Sequence, residues 1–419
     1  MEQKSNIPEG QVVQKPKEAT VADESSGLAD RLRFDRVEFA GSLGDLGTLL
    51  PIVVAMILIN KLSPSTVFLS FGLFYLITGY YYRLPVPVQP LKAVGAIAIA
   101  YPLLITESVI GASGIIFGVV LLLLSVSGTV NALAKIFTQP VVRGIQLSLG
   151  LVFLRKGIDL IVQKNLFLSG VAGRFAEYNM NLILGVAVFL MILALLDNKK
   201  LPAAIAALAV GIIAGIAFGG FDSLKFSIGP TKIGIISPTL KDFWTAFIML
   251  ILPQIPLTIG NACVGTADTC CTLFPNNPLL SKTKAGNFAL TMGIANLPAG
   301  FFGAVPMCHG TGGLAAHYRF GARTGGAPMM IGALFIVMAL VFGEFGFTLL
   351  AMIPNSVLGV LLIFAGLELC PLIRSLKTNE EFFVALLISG IALAVPNMAW
   401  AFGIGIATDM FIRRMKIKI

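Results

Sequence analysis

Charge is scarce in this chain. Asp, Glu, Lys and Arg together make up 12% of its 419 residues, hydrophobic residues make up 56%, and the mean hydropathy is +0.89. So little polar surface does not keep a globule in solution, and the apolar runs reach membrane-spanning length. Histidine is nearly absent, with His309 and His317 alone, and the five cysteines (Cys263, Cys270, Cys271, Cys308, Cys370) fall in or beside apolar segments without CxxC spacing. That argues against a structural zinc site and leaves the cysteines as small packing residues; no metal and no cofactor is expected. No nucleophile-and-base set points to an enzyme, and no filter motif or symmetric pore segment points to a channel. Residues 1 to 33 lack an apolar core ahead of a small-residue cleavage site, so no signal peptide is read, and 1–36 is expected to be a disordered cytoplasmic tail. The net charge of +9 does not imply nucleic acid, because the basic residues sit singly or in pairs between apolar spans. The partner that composition implies is the lipid bilayer.

What is present is an all-α polytopic pattern of fourteen segments. Apolar runs are predicted at 37–60, 64–82, 85–101, 108–128, 136–154, 181–196 and 201–220, and after a polar connection over 221–242 at 243–262, 284–304, 306–318, 327–343, 345–370, 380–396 and 397–414. Seven is odd, so the second set (243–419) enters the bilayer from the opposite side to the first (37–220), and the two form a 7+7 inverted repeat. With the N terminus inside, seventeen Lys and Arg fall on inside segments, from Arg31 to Lys418, against eight outside, among them Lys61, Arg155 and Lys156. That asymmetry places both termini in the cytoplasm, with the plasma (inner) membrane the expected location.

Two apolar segments are broken at matching places. In Val86-Pro87-Val88-Gln89-Pro90-Leu91-Lys92 each proline lacks an amide donor and pushes its predecessor to extended geometry, so the third segment reads as a short strand, then a half-helix starting near Gln89 to Lys92. The tenth repeats the design as Val305-Pro306-Met307, extended, followed by a helix opening at His309-Gly310-Thr311-Gly312-Gly313. Interrupted helix at membrane depth survives only where it is buried in protein or lines a cavity. Two half-helix N termini with free amides make an anion site, and glycine lets a ligand approach the backbone. The expected substrate-binding residues are therefore Gln89, Pro90, Leu91, Lys92, His309, Gly310, Thr311, Gly312 and Gly313. Lys92 either complements an oxyanion or snorkels to water.

Asp45 is the only carboxylate within the first span apart from Glu38 at its edge. An ionisable residue there is a functional candidate: it binds and releases a proton during transport, helps hold a sodium ion, or accepts bonds from glycine-exposed amides. Thr48, Gln254, Thr258 and Asn261 are polar candidates from the first and eighth segments, alternatively helix-to-helix bonds. Arg143 is a gate residue, a partner of a carboxylate or an interfacial anchor, and His317 is placed at a cytoplasmic end.

At these motifs the chain resembles the molybdate transporter family, a branch of the sulfate permease superfamily of anion transporters. The matching stretches are Gly44-Asp45-Leu46-Gly47-Thr48-Leu49-Leu50-Pro51, Pro87-Val88-Gln89-Pro90-Leu91-Lys92, Pro253-Gln254-Ile255-Pro256-Leu257-Thr258, and Phe302 through Leu314, continuing over Tyr318 to Arg323. Leu91 stands where Met is associated with the family, a volume-conserving change. The resemblance implies a core domain of segments 1–4 and 8–11 moving against a gate domain of segments 5–7 and 12–14, with substrate between the third and tenth. With the sequence stopping at Ile419, the soluble regulatory domain that many sulfate permeases carry after the last span is not expected here, which fits the molybdate branch. The implied function is secondary active, proton-coupled transport of molybdate, or of sulfate or tungstate, and a homodimer is an expectation from the superfamily. A nucleobase permease of the same fold and a receptor that senses an anion without moving it are the alternatives.

Overall fold

The computed structural model describes residues 31–134, 136–168, 179–196, 198, 202–219, 227–275, 277–395 and 397–419. The tail expected over 1–36 lies outside the described residues as far as residue 30, as do Lys135, Arg174, Lys199, Lys200 and Lys225 of the charge pattern and part of the 221–242 connection.

The described chain is mostly helix. Helix α1 (Arg36–Ser42) begins where the Asp35 carboxylate accepts the amides of Val37 and Glu38, which satisfies two of the donors a helix start leaves free. Helix α2 (Leu46–Ile59) leaves α1 at 48°. The span expected to run unbroken over 37–60 is therefore two pieces with Asp45 at the joint. Gly44 permits the joint: a Cβ there would lie 2.8 Å from the carbonyl oxygen of Ala316. Helix α3 (Pro64–Tyr82) is capped by Ser63, with Pro64 in its first turn. Strand β1 (Gln89–Pro90) and helix α4 (Lys92–Ala100) follow, then α5 (Glu107–Val126), α6 (Val130–Ala134), α7 (Gln139–Val162), α8 (Met180–Leu195) and α9 (Ala203–Gly219).

The second half opens with one helical run, Leu240–Leu273, longer than the expected 243–262. It comprises α10 (Leu240–Ala246), α11 (Leu252–Leu257) and α12 (Thr266–Leu273), joined by wide π turns over Phe247–Ile251 and Thr258–Gly265. Pro253 and Pro256 sit between them; each removes an amide donor, and the π turns on either side absorb the misfit. Then come α13 (Ala285–Phe301), strand β2 (Met307–Cys308), α14 (Thr311–Arg319), α15 (Gly326–Val341), α16 (Gly343–Ala351), α17 (Asn355–Leu369) with a 3-10 turn over Cys370–Ser375, α18 (Asn379–Ala394) and α19 (Met398–Met415). The single span expected over 345–370 is two helices: α16 is bent 93° from α15, and α17 starts afresh after Pro354.

Among the described residues three stretches, Glu107–Val126, Leu240–Leu273 and Asn355–Ser375, are each long and apolar enough to cross a bilayer, and α1 with α2 and α15 with α16 qualify as bent pairs. Large apolar side chains such as Leu123, Leu190, Ile213 and Leu386 face outward on the helices, the surface of a protein solvated by lipid. Inside, helices meet on glycine. Gly72 of α3 meets Gly332 of α15, Gly111 of α5 meets Gly300 of α13, and Gly157 of α7 meets Gly359 of α17. In all three pairs a Cβ on either glycine would lie 2.5–2.8 Å from the other's carbonyl oxygen, so only glycine lets these backbones approach so closely.

At the centre, β1 and β2 pair antiparallel, Gln89 opposite Cys308 and Pro90 opposite Met307. The Leu91 amide adds a bond of 2.9 Å to the Pro306 carbonyl. Prolines at 85, 87 and 90 have no N–H to extend the ladder, and side chains supply the rest. Asn296 clamps Met307 through both its carbonyl (2.7 Å) and its amide (2.8 Å), while the Nδ1–H groups of His309 and His317 donate to the carbonyls of Pro87 (2.8 Å) and Pro85 (2.9 Å).

Candidate functional site

Antiparallel pairing of β1 and β2 places the starts of α4 and α14 close together, and both open onto one cavity of about 770 Å³. Every helix start leaves its first amides unbonded within the helix and carries the positive end of the helix dipole. In α4 the Ala93 amide donates to Gln254 Oε1 at 2.8 Å. In α14, neither Gly310 nor any other described side chain caps the helix, and the amides of Thr311, Gly312 and Gly313 meet no acceptor among the described residues.

Side chains frame these amides. Gln89 donates from Nε2 to Asp45 Oδ1 at 2.6 Å, and its Oε1 lies against Gly310, where any Cβ would collide with it. Asp45 is buried behind Gln89; its second oxygen has no hydrogen-bond partner among the described residues and rests on Gly313, where a Cβ would stand 2.6 Å away. Thr311 donates to Asn261 Oδ1 at 2.7 Å, and Gln254 donates to the Thr258 hydroxyl at 2.9 Å. Thr48 donates to Glu368 Oε2 at 3.2 Å. Lys92, Arg143 and Arg319 also line the cavity, so its charged walls are three cations and the one carboxylate of Glu368. Oriented amides, hydroxyls and cations around one chamber suit a compact anion.

Of the residues expected at the site, the cavity brings together Gln89, Lys92, Thr311, Gly312, Thr48, Gln254, Thr258 and Asn261. Pro90, Leu91, Gly310, Gly313 and Asp45 lie just behind its wall. His309 points the other way. It is wholly buried, with Nδ1 on the Pro87 carbonyl and Nε2 3.1 Å from the Thr291 hydroxyl, among the rings of Phe74, Tyr82 and Phe288. With Nδ1 as donor, a neutral ring accepts from Thr291 and has nothing left for a ligand. His317, expected at a cytoplasmic end, lies in the last turn of α14 and is wholly buried too. Arg143 links α7 to the turn after α17, donating to Ser375 Oγ and to Gln146 Oε1, each at 2.8 Å.

Sequence reasoning missed Glu368, Arg319, Gln146 and Cys308 as lining residues. For Glu368 the signal was present, since it is an ionisable residue in an apolar run and falls under the argument applied to Asp45.

Comparison with known proteins identifies the family and the fold. A family model described as "Molybdate transporter of MFS superfamily" matches residues 37–153 and 246–369. The chain is 33% identical to Molybdate transporter 1 of Arabidopsis thaliana, over 88% of this chain and 86% of that protein. It is 31% identical to Molybdate transporter 2 of the same plant, over 90% and 87%. Among solved structures it is similar to the transmembrane domain of a cyanobacterium bicarbonate transporter, BicA, with a TM-score of 0.64 at 15% identity, over 87% of this chain and 96% of that one. It is also similar to SLC26A9, with a TM-score of 0.61 at 14% identity, over 91% of this chain and 65% of that one. At such identities the structural likeness is one of fold, and the fold is that of BicA and SLC26A9 whatever superfamily the family description carries. The sequence match covers over half of the chain and both halves of the cavity wall, so the chain belongs to the molybdate transporter family: an integral membrane transporter, not an enzyme.

Proposed function

We propose that this protein is a secondary active transporter of a tetrahedral oxyanion, molybdate first and sulfate or tungstate next, working by alternating access. One observation carries the reading: two helix N termini, with Gln89, Lys92 and Thr311 at their tips, open onto a single cavity. Amides and dipole ends are what a small multivalent anion needs in place of its hydration shell. Molybdate is preferred because it is what the named relatives carry. A nucleobase needs carboxylates against its ring N–H groups, whereas the α11 to α14 side of the cavity supplies amides and hydroxyls from Gln254, Thr258, Asn261 and Thr311.

In this reading fourteen spans form a 7+7 inverted repeat, with the third and tenth built as strand plus half-helix. The glycine contacts support it. Exchanging halves turns the α3 and α15 pair (second and eleventh spans) into the α13 and α5 pair (ninth and fourth), while α7 with α17 and β1 with β2 map onto themselves. The most closely packed helix pairs fall within a core of spans 1–4 and 8–11 or within a gate of spans 5–7 and 12–14, and the cavity lies on the seam. Rocking of core against gate would expose the site to either side. Both termini are placed in the cytoplasm and the protein in the plasma membrane, with a homodimer as the expected assembly. Transport is coupled to protons, and Asp45 takes part through Gln89: a proton on its carboxyl would release the Gln89 amide to the cavity.

Uptake into proteoliposomes tests the reading. Labelled molybdate should accumulate under a pH gradient, with competition from tungstate and sulfate and none from uracil. Uptake of sulfate without molybdate would sink the substrate assignment, and no movement under any gradient would leave a receptor. Asp45→Asn should lose accumulation driven by the pH gradient; a mutant that still concentrates substrate normally would reduce Asp45 to a positioning residue.

A further inference from the structure

Glu368 is the one carboxylate among the described residues that lines the cavity. It projects from the end of α17, across the seam from the two helix starts, and its one hydrogen-bond donor among the described residues is Thr48 of α2, at 3.2 Å. The charged and titratable groups around it are few. Lys92 faces it from the start of α4, Asp45 stands behind Gln89, Arg319 ends α14, and Arg143 of α7 is committed to Ser375 and Gln146. Helices α8 and α9, which also pack on α17, bring no titratable side chain among the described residues.

We propose that Glu368 carries the proton that enters with the anion: ionised and balanced by Lys92 when the site is empty, protonated when a dianion occupies the helix starts. The inference rests on the anion-transport reading above. A carboxylate and a dianion in one small chamber repel, so filling the site raises the proton affinity of Glu368, and by reciprocity a proton there tightens the anion. Its place across the seam adds a mechanical step. An ionised Glu368 facing a bound dianion opposes closure of gate on core, and a protonated one permits it, so anion and proton cross together. The proton comes from water on the loading side and leaves to water on the other.

The test is calorimetric titration of molybdate into the purified full-length protein at about pH 6.5 and about pH 8.5 with sodium held constant. Wild type should bind more weakly at the higher pH, by up to about tenfold per pH unit for one linked proton. Glu368→Gln should bind equally at both values, near the wild-type acid affinity, and in proteoliposomes should exchange molybdate without concentrating it. Thr48→Val, which removes the donor that favours the ionised form, should move the fall in affinity to higher pH. Retention of the wild-type slope in Glu368→Gln, or affinity that follows sodium instead of pH, would overturn the proposal. Wild-type protein that binds no molybdate at either pH would sink the transport reading itself, whereas binding with an unaltered slope in Glu368→Gln sinks Glu368 alone.

Discussion

Gln89 owes its pose to two neighbours: the Asp45 carboxylate that takes one of its N–H groups and Gly310, whose missing side chain leaves room for its oxygen. Its second N–H meets no acceptor among the described residues. Replacing Gln89 or Thr311 by Ala should weaken molybdate binding about tenfold each, the scale of one hydrogen bond to a charged group, with the melting temperature unchanged. Unaltered affinity in both variants would put the site elsewhere. His309→Ala should do the reverse, costing about 3 kcal/mol of stability from a lost buried ring and two bonds, seen as a lower melting temperature with molybdate affinity kept. The sequence locates His309 at the second helix start but does not say which way it faces. Strand geometry does: Cys308, opposite Gln89, lines the cavity, and successive side chains in a strand alternate, so His309 turns into the aromatic core. The same alternation puts Gln89 on the cavity and Pro90 behind it.

At the scale of elements, the proline-broken segments were readable because proline's limits are local: it fixes φ and removes a donor wherever it stands. Breaks that depend on tertiary contact were not. The joint between α1 and α2 follows from Gly44 lying on α14, 272 residues away at Ala316, and the separation of α16 from α17 interrupts a run that looks continuous by composition. Glycine contacts give a prediction here. Gly157→Val should force α7 from α17 and cost about 3 kcal/mol or more as overpacking, read as a lower melting temperature and loss of folded protein in detergent. Asp35 gives another. The Glu38 amide first, then the Arg33 guanidinium, hold its carboxyl below the ordinary carboxylate range. A depressed folded pKa means that its contribution to α1 is present above the unfolded value and fades as the pH falls through the folded one. Protection of the α1 amides, measured against the intrinsic exchange rate at each pH, should therefore fall under acid, and Asp35→Ala should lower it at every pH.

For the whole molecule, the membrane class and the family were legible from composition and from collinear motifs, because both are recorded residue by residue. The chamber was not, since it is assembled from six distant parts of the chain, and Glu368 faces Thr48 across 320 positions of sequence. A labelling experiment addresses that assembly. With Cys271 and Cys308 replaced by Ala, a cysteine at Ala315, which is exposed on the cavity wall, should react with a membrane-impermeant thiol reagent from one side only and be protected by molybdate. Labelling from both sides at equal rates without substrate would argue against a gated chamber.

The ladder between β1 and β2 is only two residues long, and prolines at 85, 87 and 90 deny it any neighbouring register to slip into. The two helix tips behave as the jaws of a caliper locked at one setting. On the transport reading proposed above, oxyanions that share shape and charge would differ at such a gap in diameter alone, and fit would sort them before any domain moved.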